Sequence, residues 1–254
     1  MKLESVYKKS ITVQSRDSDF SLRVKLSALF SYFQEMATEH GQILGVGRSS
    51  IQKHGVIWVL IRSRVEVERY PRMKEEIFIE TWPEQPGKIE FERNFIVRDG
   101  EGVIIARALT SWVIIDVENR RLRRSSTLDA KFTDLGREKA LSCELGKIKS
   151  NNQLNLSYKK AVRYSDIDIN EHLNNSKYVD YIMDCFSLDE HKDYQVQSIE
   201  VDYVHEALPG ETIELYTDMS ESGQNIIYIE GINEKTNMTV FKSQIEIKNY
   251  NNIN

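Results

Sequence analysis

The residues best suited to chemistry lie in one short stretch in the second half of the chain. The stretch reads Asp168-Ile169-Asn170-Glu171-His172-Leu173-Asn174-Asn175-Ser176-Lys177-Tyr178. A carboxylate and an imidazole held together can transfer protons, and amide side chains can bind a water molecule or a polarised carbonyl. Asp and Asn also cap the N-termini of helices, so the stretch equally fits a structural role.

The first half of the chain has a related stretch that lacks part of this chemistry. Its two acids, Asp17 and Asp19, precede those of the second half by 149 residues. Ser21 and Arg23 then occupy the places of the amide and the imidazole. Helix capping requires neither His nor a second Asn, so the difference favours an active site in the second half only.

Glu206 is an acid that can join this group. It follows an alternating pattern of Ile199, Val201 and Tyr203, which predicts a strand. A strand that passes beside the helix start would bring its end close to His172. A single glutamate after a strand is more often a solvated surface residue, so the spacing leaves both interpretations open.

Two helices are predicted at the positions that would carry the two stretches. The first has an apolar stripe at helical spacing, formed by Leu26, Leu29, Phe30, Phe33 and Ala37. Asp19 or Ser21 is expected to cap its start, and Gly41 its end. The second helix has a stripe formed by Tyr178, Tyr181, Ile182, Cys185 and Phe186.

Each helix is preceded by one extended segment and followed by a run of alternating strands, so the chain repeats one pattern. Residues 65–68 match 199–202 at an offset of 134, and Tyr70-Pro71 corresponds roughly to Leu208-Pro209. We therefore predict an α+β fold with two copies of one domain, each a long helix wrapped by a curved antiparallel sheet. The predicted boundaries are 1–120 and 158–254, with 121–157 as a linker.

Composition restricts the class of protein. Hydrophobic residues make up 40% and charged residues 29%, as in ordinary globular proteins. The apolar run 56–61 is too short to cross a bilayer and the N-terminus lacks a signal segment, so we expect a cytoplasmic protein without stable membrane insertion. Two cysteines, Cys143 and Cys185, are too few for a disulfide framework or a zinc site. No nucleotide motif occurs, and no cofactor or metal is predicted.

Charge is distributed unevenly along the chain. The first 150 residues carry 26 basic and 21 acidic side chains, a net charge of +5, whereas residues 151–254 carry 8 and 18, a net charge of −10. The overall charge of −5 argues against nucleic-acid binding. The asymmetry indicates either an acidic partner for the first half or attraction between the halves. A dense basic patch, which can also be a solvated face, consists of Arg120, Arg121, Arg123 and Arg124.

Together these motifs resemble the acyl-[acyl carrier protein] thioesterases of plants and bacteria, over about residues 5–247. The similarity rests on Asp168 to Tyr178, Trp58-Val59, Arg69-Tyr70-Pro71, Arg98-Asp99, Ser111-Trp112-Val113 and Glu200 to Ala207. The resemblance implies a double hotdog fold and hydrolysis of a fatty acyl thioester held by an acyl carrier protein. It further implies an active site made of Asp168, Asn170, His172 and Glu206.

Several versions of the reaction are open at this stage. Asp168 or Glu206 would activate water as general base, or Asp168 would attack the thioester carbonyl directly. His172 would donate to the carbonyl or orient the base, and Asn170 would hold water and the thioester. Some family members have a Cys after the glutamate, but this chain has Ala207 there, so a thiol nucleophile is not expected.

The acyl chain is expected in the first copy, which keeps an apolar stripe but lacks the polar pair. Candidate substrate-binding residues are Leu26, Leu29, Phe30, Phe33, Trp58, Asn174 and Asn175. The alternative is that the apolar ones only fill the core. The acidic carrier protein is expected to dock on the four arginines of the basic patch.

Other functions fit parts of the pattern. An acyl-CoA thioesterase differs only in the carrier, and a hydratase or dehydratase of the hotdog type also uses a His and an acid. A non-catalytic acyl-binding regulator would need only apolar lining, which the polar set argues against. A homodimer is compatible with the sequence, which specifies neither chain length nor saturation of the acyl group.

Overall fold

The computed structural model describes residues 5–128, 132, 136–150, 153–220 and 225–249. The chain divides into two compact units, unit 1 (Met1–Leu145) and unit 2 (Gly146–Asn254). Antiparallel strands predominate in both units and helices are few, in agreement with the predicted α+β class. None of the described helices is both long enough and apolar enough to cross a membrane.

Unit 1 is built on an antiparallel sheet with one long helix. Its elements are β1 (Tyr7–Thr12), α1 (Leu26–Ile43), α2 (Arg48–Lys53), β2 (Val56–Val67), β3 (Glu76–Pro83), β4 (Phe91–Arg98), β5 (Ile104–Asp116) and β6 (Leu122–Arg123). Within the unit the strands lie in the order β1-β3-β4-β5-β2, and the short β6 pairs with β5.

Unit 2 repeats this arrangement. Its elements are β7 (Asn155–Ala161), α3 (Asn175–Met183), α4 (Glu190–Asp193), β8 (Tyr194–Tyr203), β9 (Thr212–Asp218), β10 (Ile226–Asn233) and β11 (Thr239–Asn249). The strands lie in the order β7-β9-β10-β11-β8, which is the order of unit 1. The two units therefore share one topology, as the repeated sequence pattern predicts.

The predicted stripe of α1 lies on its buried face. Leu29 is completely buried, and Phe33 packs against Phe95 of β4 with ring centroids 4.8 Å apart. Full burial of such a side chain contributes about 1.5–3 kcal/mol. The sheet therefore holds α1 through the residues that the helical spacing singles out.

The ends of α1 differ from the predicted caps. The helix passes Gly41 and ends at Ile43, because the last turn buries His40, whose Nδ1 lies 3.0 Å from Arg93 Nη1. Gly45 adopts the left-handed conformation with φ of 75°, and the Val46 N–H donates to the Gly41 carbonyl at 2.8 Å. These are features of a Schellman C-cap.

The N-cap of α1 is Lys25, which offers no side-chain bond. Neither Asp19 nor Ser21 caps the helix. The Asp19 carboxylate instead binds backbone N–H groups of its own loop.

Helix α3 is shorter than its stripe predicts. It ends at Met183, so Cys185 and Phe186 lie beyond the helix in successive turns. Its buried face is made by Tyr178, Val179, Tyr181 and Ile182.

Part of the predicted linker belongs to unit 1. Leu141 and Leu145 form a buried cluster with Leu109 of β5, and the Ala140 N–H donates to Asn94 Oδ1 at 2.8 Å. These residues show no helical or strand periodicity, so the sequence pattern places them in a connection. The structure sets the division at residues 145 and 146 and begins β7 at Asn155, whereas the predicted linker spans 121–157.

Candidate active site

The turn before α3 brings Asp168 and His172 into backbone contact. The Asp168 N–H donates to the His172 carbonyl at 2.9 Å, and the Glu171 N–H donates to the Asp168 carbonyl at 3.1 Å. Asp168 Oδ1 accepts the N–H groups of Asn170 at 2.8 Å and of His172 at 3.4 Å. Glu171 closes the turn with φ of 64°. An aspartate that bonds its own following backbone is a standard way to fix such a turn.

The chain after β8 is anchored at two points, one of which is this turn. The N–H groups of Val204 and His205 both donate to the Val240 carbonyl, at 2.9 and 3.0 Å. Farther on, the Ala207 carbonyl accepts the Leu173 N–H at 3.0 Å. The residue between these anchors is therefore held beside the turn.

That residue is Glu206, and its carboxylate faces His172. Glu206 Oε2 lies 3.2 Å from His172 Nε2, with 39% and 27% of the two side chains exposed. An Nε2–H that donates to the carboxylate leaves Nδ1 of a neutral imidazole as a proton acceptor. Among the described residues, Nδ1 of His172 has no hydrogen-bond partner. The neighbouring His205 is turned away, with Nδ1 at 2.7 Å from the Thr239 carbonyl.

Asn170 lies at the exposed tip of the turn. Its Nδ2 is 3.5 Å from Asp168 Oδ2, so the amide remains close to the acid. The structure thus groups Asp168, Asn170 and His172 on one turn and adds Glu206 from the end of β8. This is the set that the resemblance implies.

Unit 1 contains the same turn without the pair of His172 and Glu206, which we call the dyad. Asp19 Oδ1 accepts the N–H groups of Ser21 at 2.8 Å and of Arg23 at 3.0 Å, and Leu22 has φ of 61°. Arg23 stands at the position of His172. The turn is therefore part of the repeated framework, whereas the imidazole belongs to unit 2.

The anchoring of the strand end is also repeated. After β2, two successive N–H groups donate to one carbonyl at 3.0 and 3.1 Å, and the Pro71 carbonyl accepts the Val24 N–H at 2.8 Å. Pro71 therefore stands where unit 2 has Ala207, and Tyr70 stands where it has Glu206. The sequence pattern did not predict the anchoring role of this position, because the bond is made by a backbone carbonyl and the two residues, Ala207 and Pro71, are different.

The start of α3 is organised by Asn174. Its Oδ1 accepts the N–H of Ser176 at 2.9 Å and the Ser176 hydroxyl at 3.0 Å, so Asn174 is the N-cap. The carbonyl of Asn175 accepts the Tyr203 hydroxyl at 3.4 Å. The N–H of Asn175 has no acceptor within the described ranges and carries the positive end of the helix dipole.

Neither cysteine has the features of a nucleophile. Cys185 Sγ lies 3.6 Å from the Tyr181 carbonyl, and burial raises the pKa of its thiol to about 12. Cys143 packs against the cluster of Leu109, Leu141 and Leu145 in unit 1. The residue after Glu206 is a buried alanine.

The other predicted site residues lie in unit 1. Leu26, Leu29, Phe30 and Phe33 are buried on α1. Trp58 packs elsewhere, since its Nε1–H donates to the Val46 carbonyl at 2.9 Å and its ring meets Phe91 edge-on at 4.7 Å. Within the described residues, no three His, Cys, Asp or Glu side chains are grouped so that they could hold a metal ion.

The four arginines of the basic patch are all exposed. Arg123 Nη1 pairs with Asp116 Oδ2 at 2.8 Å and thereby closes the hairpin between β5 and β6. The side chains of Arg121 and Arg124 have no ion-pair partner in the part of the chain that the structure describes. Docking of a carrier protein on this patch stays a prediction, and these two side chains are suited to testing it.

Curated relatives match almost the whole chain. The oleoyl-acyl carrier protein thioesterase 2 of Arabidopsis thaliana, a chloroplastic protein, is 24% identical over 248 residues, which cover 91% of this chain and 67% of the relative. The chloroplastic dodecanoyl-[acyl-carrier-protein] hydrolase of Cinnamomum camphora is 27% identical over 254 residues, covering 90% and 65%. Across these and other relatives, the chain spans between 56% and 67% of their length.

Solved structures share the fold. An acyl-ACP thioesterase from Bacteroides thetaiotaomicron matches with a TM-score of 0.87 and 23% identity, covering 98% of this chain and 100% of the other. The 12:0-ACP thioesterase from Umbellularia californica matches with a TM-score of 0.82 and 21% identity, covering 96% and 97%.

Family models account for both units. The model of the acyl-ACP thioesterase N-terminal domain matches residues 4–127, and that of the C-terminal domain matches residues 148–252. The two domains occur in the family's order, and the catalytic candidates all lie within the second. The chain belongs to the acyl-ACP thioesterase family.

Proposed function

We propose that this chain hydrolyses the thioester of fatty acyl-[acyl carrier protein] and releases a free fatty acid and the carrier thiol. The relatives are named for this activity. The observation that carries the proposal is the 3.2 Å contact between His172 Nε2 and Glu206 Oε2, at positions where unit 1 has Arg23 and Tyr70. We also assign the hotdog fold to each unit, which the shared strand order supports.

His172 is the general base of the proposed reaction. Glu206 accepts the Nε2–H and so fixes the tautomer in which Nδ1 carries a lone pair. Nδ1 takes a proton from water as the water oxygen bonds to the thioester carbon. When the tetrahedral intermediate collapses and the carbon–sulfur bond breaks, the thiolate takes that proton from Nδ1. Positioned bases of this kind contribute about 10²–10⁴-fold to the rate.

The N-terminus of α3 stabilises the oxyanion in this proposal. The N–H of Asn175 is the first of the helix and is available, since Asn174 already caps the N–H of Ser176. An N–H at a helix start is preorganised for a charge that develops on oxygen. The Asn170 amide, at the tip of the turn, is placed to hold the attacking water.

Asp168 holds the turn. Its Oδ1 is engaged by two N–H groups, and Asp19 makes the same bonds in the unit without the dyad. We therefore assign the base to His172 with Glu206 and give Asp168 a positioning role.

The decisive experiment measures thiol release from acyl carrier protein and acyl-CoA substrates with the same acyl group. We expect the carrier substrate to have the higher kcat/KM. His172→Gln and Glu206→Gln should each lower kcat by about 10²–10⁴-fold on that substrate. A preference for CoA would make the chain an acyl-CoA thioesterase, and no turnover on either would favour a binding protein.

Unit 1 offers matched controls for these variants. Arg23→Gln and Tyr70→Phe alter the corresponding positions on the repeated turn and strand end. Both should keep kcat within a few-fold of the wild type. A comparable loss in these variants would mean that the framework, not the dyad, limits the rate.

A further inference from the structure

Unit 2 is acidic, and its single arginine lies close to the candidate active site. Residues 151–254 carry 18 acidic side chains but only one arginine, Arg163. Three lysines of this unit are paired with acids, namely Lys159 with Glu214, Lys177 with Asp180 and Lys192 with Asp189. Within the described residues, Arg163 is exposed and its guanidinium has no ion-pair partner. This cation is therefore available to an anion from outside the chain.

The backbone of Arg163 is tied to the start of α3. Its N–H donates to Asp166 Oδ2 and its carbonyl accepts the Asp166 N–H, both at 2.9 Å. The Asp166 carbonyl in turn accepts the N–H of Asn174, the N-cap of α3, at 2.9 Å. Consecutive hydrogen bonds thus connect Arg163 to the residue before Asn175, whose N–H is the proposed oxyanion donor.

The same segment is also bonded to the chain that follows Glu206. The Val162 N–H donates to the Glu211 carbonyl at 2.8 Å, and the Gly210 N–H donates to the Val162 carbonyl at 3.0 Å. The segment that carries Arg163 therefore joins both parts of the chain that supply the dyad.

Unit 1 repeats this backbone without the cation. The Val13 N–H donates to the Glu75 carbonyl at 2.9 Å, as the Val162 N–H does to its partner in unit 2. Gln14 stands at the position of Arg163, and its Nε2 donates to the Thr12 carbonyl at 3.0 Å. The framework therefore does not require an arginine here, and the arginine occurs in the unit that has the dyad.

Two exposed apolar side chains accompany Arg163. Tyr164 is 97% exposed and Leu208 is 46% exposed, at positions where unit 1 has Ser15 and Arg72. Each lies two residues from the hydrogen bond that joins the two segments. A free cation next to exposed apolar groups suits a ligand that has an anionic end beside a hydrocarbon part.

We propose that Arg163 binds the phosphate of the phosphopantetheine arm whose thiol carries the acyl group. The inference rests on the proposed function, which places the thioester carbon beside His172. The arm has its thiol at one end and its phosphate at the other, and a carbon close to the phosphate bears two methyl groups. The planar donors of a guanidinium match two phosphate oxygens, and Tyr164 and Leu208 contact the methyl groups.

Two small substrates isolate the contribution of the phosphate. These are acyl-pantetheine and acyl-4′-phosphopantetheine with the same acyl group. In the wild type kcat/KM should be about threefold to tenfold higher for the phosphorylated substrate, between the effect of an exposed ion pair and that of a charge-assisted hydrogen bond. The difference should lie mainly in KM, because the phosphate is remote from the reacting bond.

Arg163→Gln introduces the residue that unit 1 has at this position and should reduce the ratio between the two substrates to about one. Arg163→Lys should keep part of the ratio, since an ammonium supplies the charge without the planar donors. The matched control is Lys192→Gln, which makes the same change in net charge beyond the C-terminal end of α3. It should keep the wild-type ratio.

Larger substrates identify which phosphate is bound. Arg163→Gln should lower kcat/KM by a similar factor on acyl carrier protein, acyl-CoA and acyl-dephospho-CoA substrates, because all three contain the phosphate of the arm. A loss confined to acyl-CoA would assign Arg163 to the 3′-phosphate, which dephospho-CoA lacks. A loss confined to the carrier substrate would assign it to the carrier protein. Either result would overturn the proposal.

Binding gives a readout that does not require hydrolysis. Titration with 4′-phosphopantetheine should shift the backbone ¹H–¹⁵N signals of Tyr164 and Asn175 at lower concentrations than titration with pantetheine. This difference in affinity should disappear in Arg163→Gln and persist in Lys192→Gln. If the wild type binds in this way but hydrolyses no acyl thioester, only the proposed function is refuted.

The proposal is wrong if the wild type does not distinguish the phosphorylated compounds from pantetheine, in rate or in affinity. It is equally wrong if Arg163→Gln keeps the wild-type ratio. A full loss of the ratio in Lys192→Gln would also contradict it, because overall charge rather than a site would then attract the phosphate.

Discussion

Asp168 and Asp19 hold their turns with the same hydrogen bonds. In each case Oδ1 accepts the N–H of the second and the fourth residue that follow, at distances from 2.8 to 3.4 Å. One turn precedes His172 and the other precedes Arg23. An oxygen acceptor at this position therefore closes the turn in both units, with or without the imidazole.

Asp168→Asn tests whether the Asp168 carboxylate is structural or catalytic. The amide oxygen still accepts the two N–H groups, so the turn should persist and kcat should fall by less than about tenfold. Loss of a general base at Asp168, one of the versions that the sequence leaves open, would cost about 10²–10⁴-fold. Steady-state kinetics with circular dichroism decide between the two. Asp19→Asn is the control, and a loss above 10²-fold confined to Asp168→Asn would move the base to Asp168.

Cys185 should react slowly with thiol reagents and should not take part in catalysis. Burial raises the pKa of its thiol to about 12, so the thiol stays protonated near neutral pH. Alkylation of the native protein by iodoacetamide, followed by mass spectrometry, should therefore be far slower at Cys185 than in the unfolded chain. Cys185→Ser should retain activity within a few-fold. Loss of activity with unchanged thermal unfolding would restore a thiol mechanism.

Substitutions in the basic patch should lower activity on the carrier substrate but not on small thioesters. Arg121→Glu with Arg124→Glu should lower kcat/KM for acyl carrier protein, because exposed charges speed the encounter with an acidic partner. The wild type should show the same loss as salt rises, since salt screens such charges. A short neutral thioester should respond to neither change.

A charge-matched control lies between β2 and β3, where Arg72 and Lys74 are exposed. Arg72→Glu with Lys74→Glu makes the same change in net charge at the other end of β2 from the hairpin that carries the patch. Equal losses for both pairs would mean that total charge, not docking on the patch, sets the rate.

The α1 face should influence acyl-chain preference if it lines the acyl site. Phe33→Leu reduces a side chain that packs on Phe95 and should shift product chain length in an assay with mixed acyl carrier protein substrates. The cost in stability should be about 1 kcal/mol. Ile182→Val is the control at the matching position of α3. An unchanged chain profile in a stable Phe33→Leu would leave this face as core alone.

Helical spacing predicted α1 and its buried face, but not its ends. The chain has glycines at 41, 45 and 47, and the sequence does not say which of them becomes left-handed. Burial of His40 beside Arg93 accompanies the extension of the helix from Gly41 to Ile43, and that contact joins residues 53 positions apart. Contacts at such a distance in sequence leave no periodic signal.

The contact between His172 and Glu206 could not be predicted from the sequence pattern, because it depends on the fold. Strand alternation predicted β8 but not which residue beyond its end would reach the turn. Pro209 suggested a break that matches Pro71, whereas the bond from Leu173 identifies Ala207 as the equivalent position. A carbonyl has no sequence signature, so this anchor is visible only in three dimensions.

The repeated turn has a consequence for how such a protein can change over generations. Because the turn is closed by an aspartate and backbone groups, a duplicated copy can lose its imidazole and its glutamate and still fold. Unit 1 has this turn without these groups, since Ser21, Arg23 and Tyr70 stand at the positions of the catalytic candidates Asn170, His172 and Glu206. Because its turn is complete without the catalytic candidates, unit 1 is suited to receiving a second active site, built by substitutions copied from unit 2.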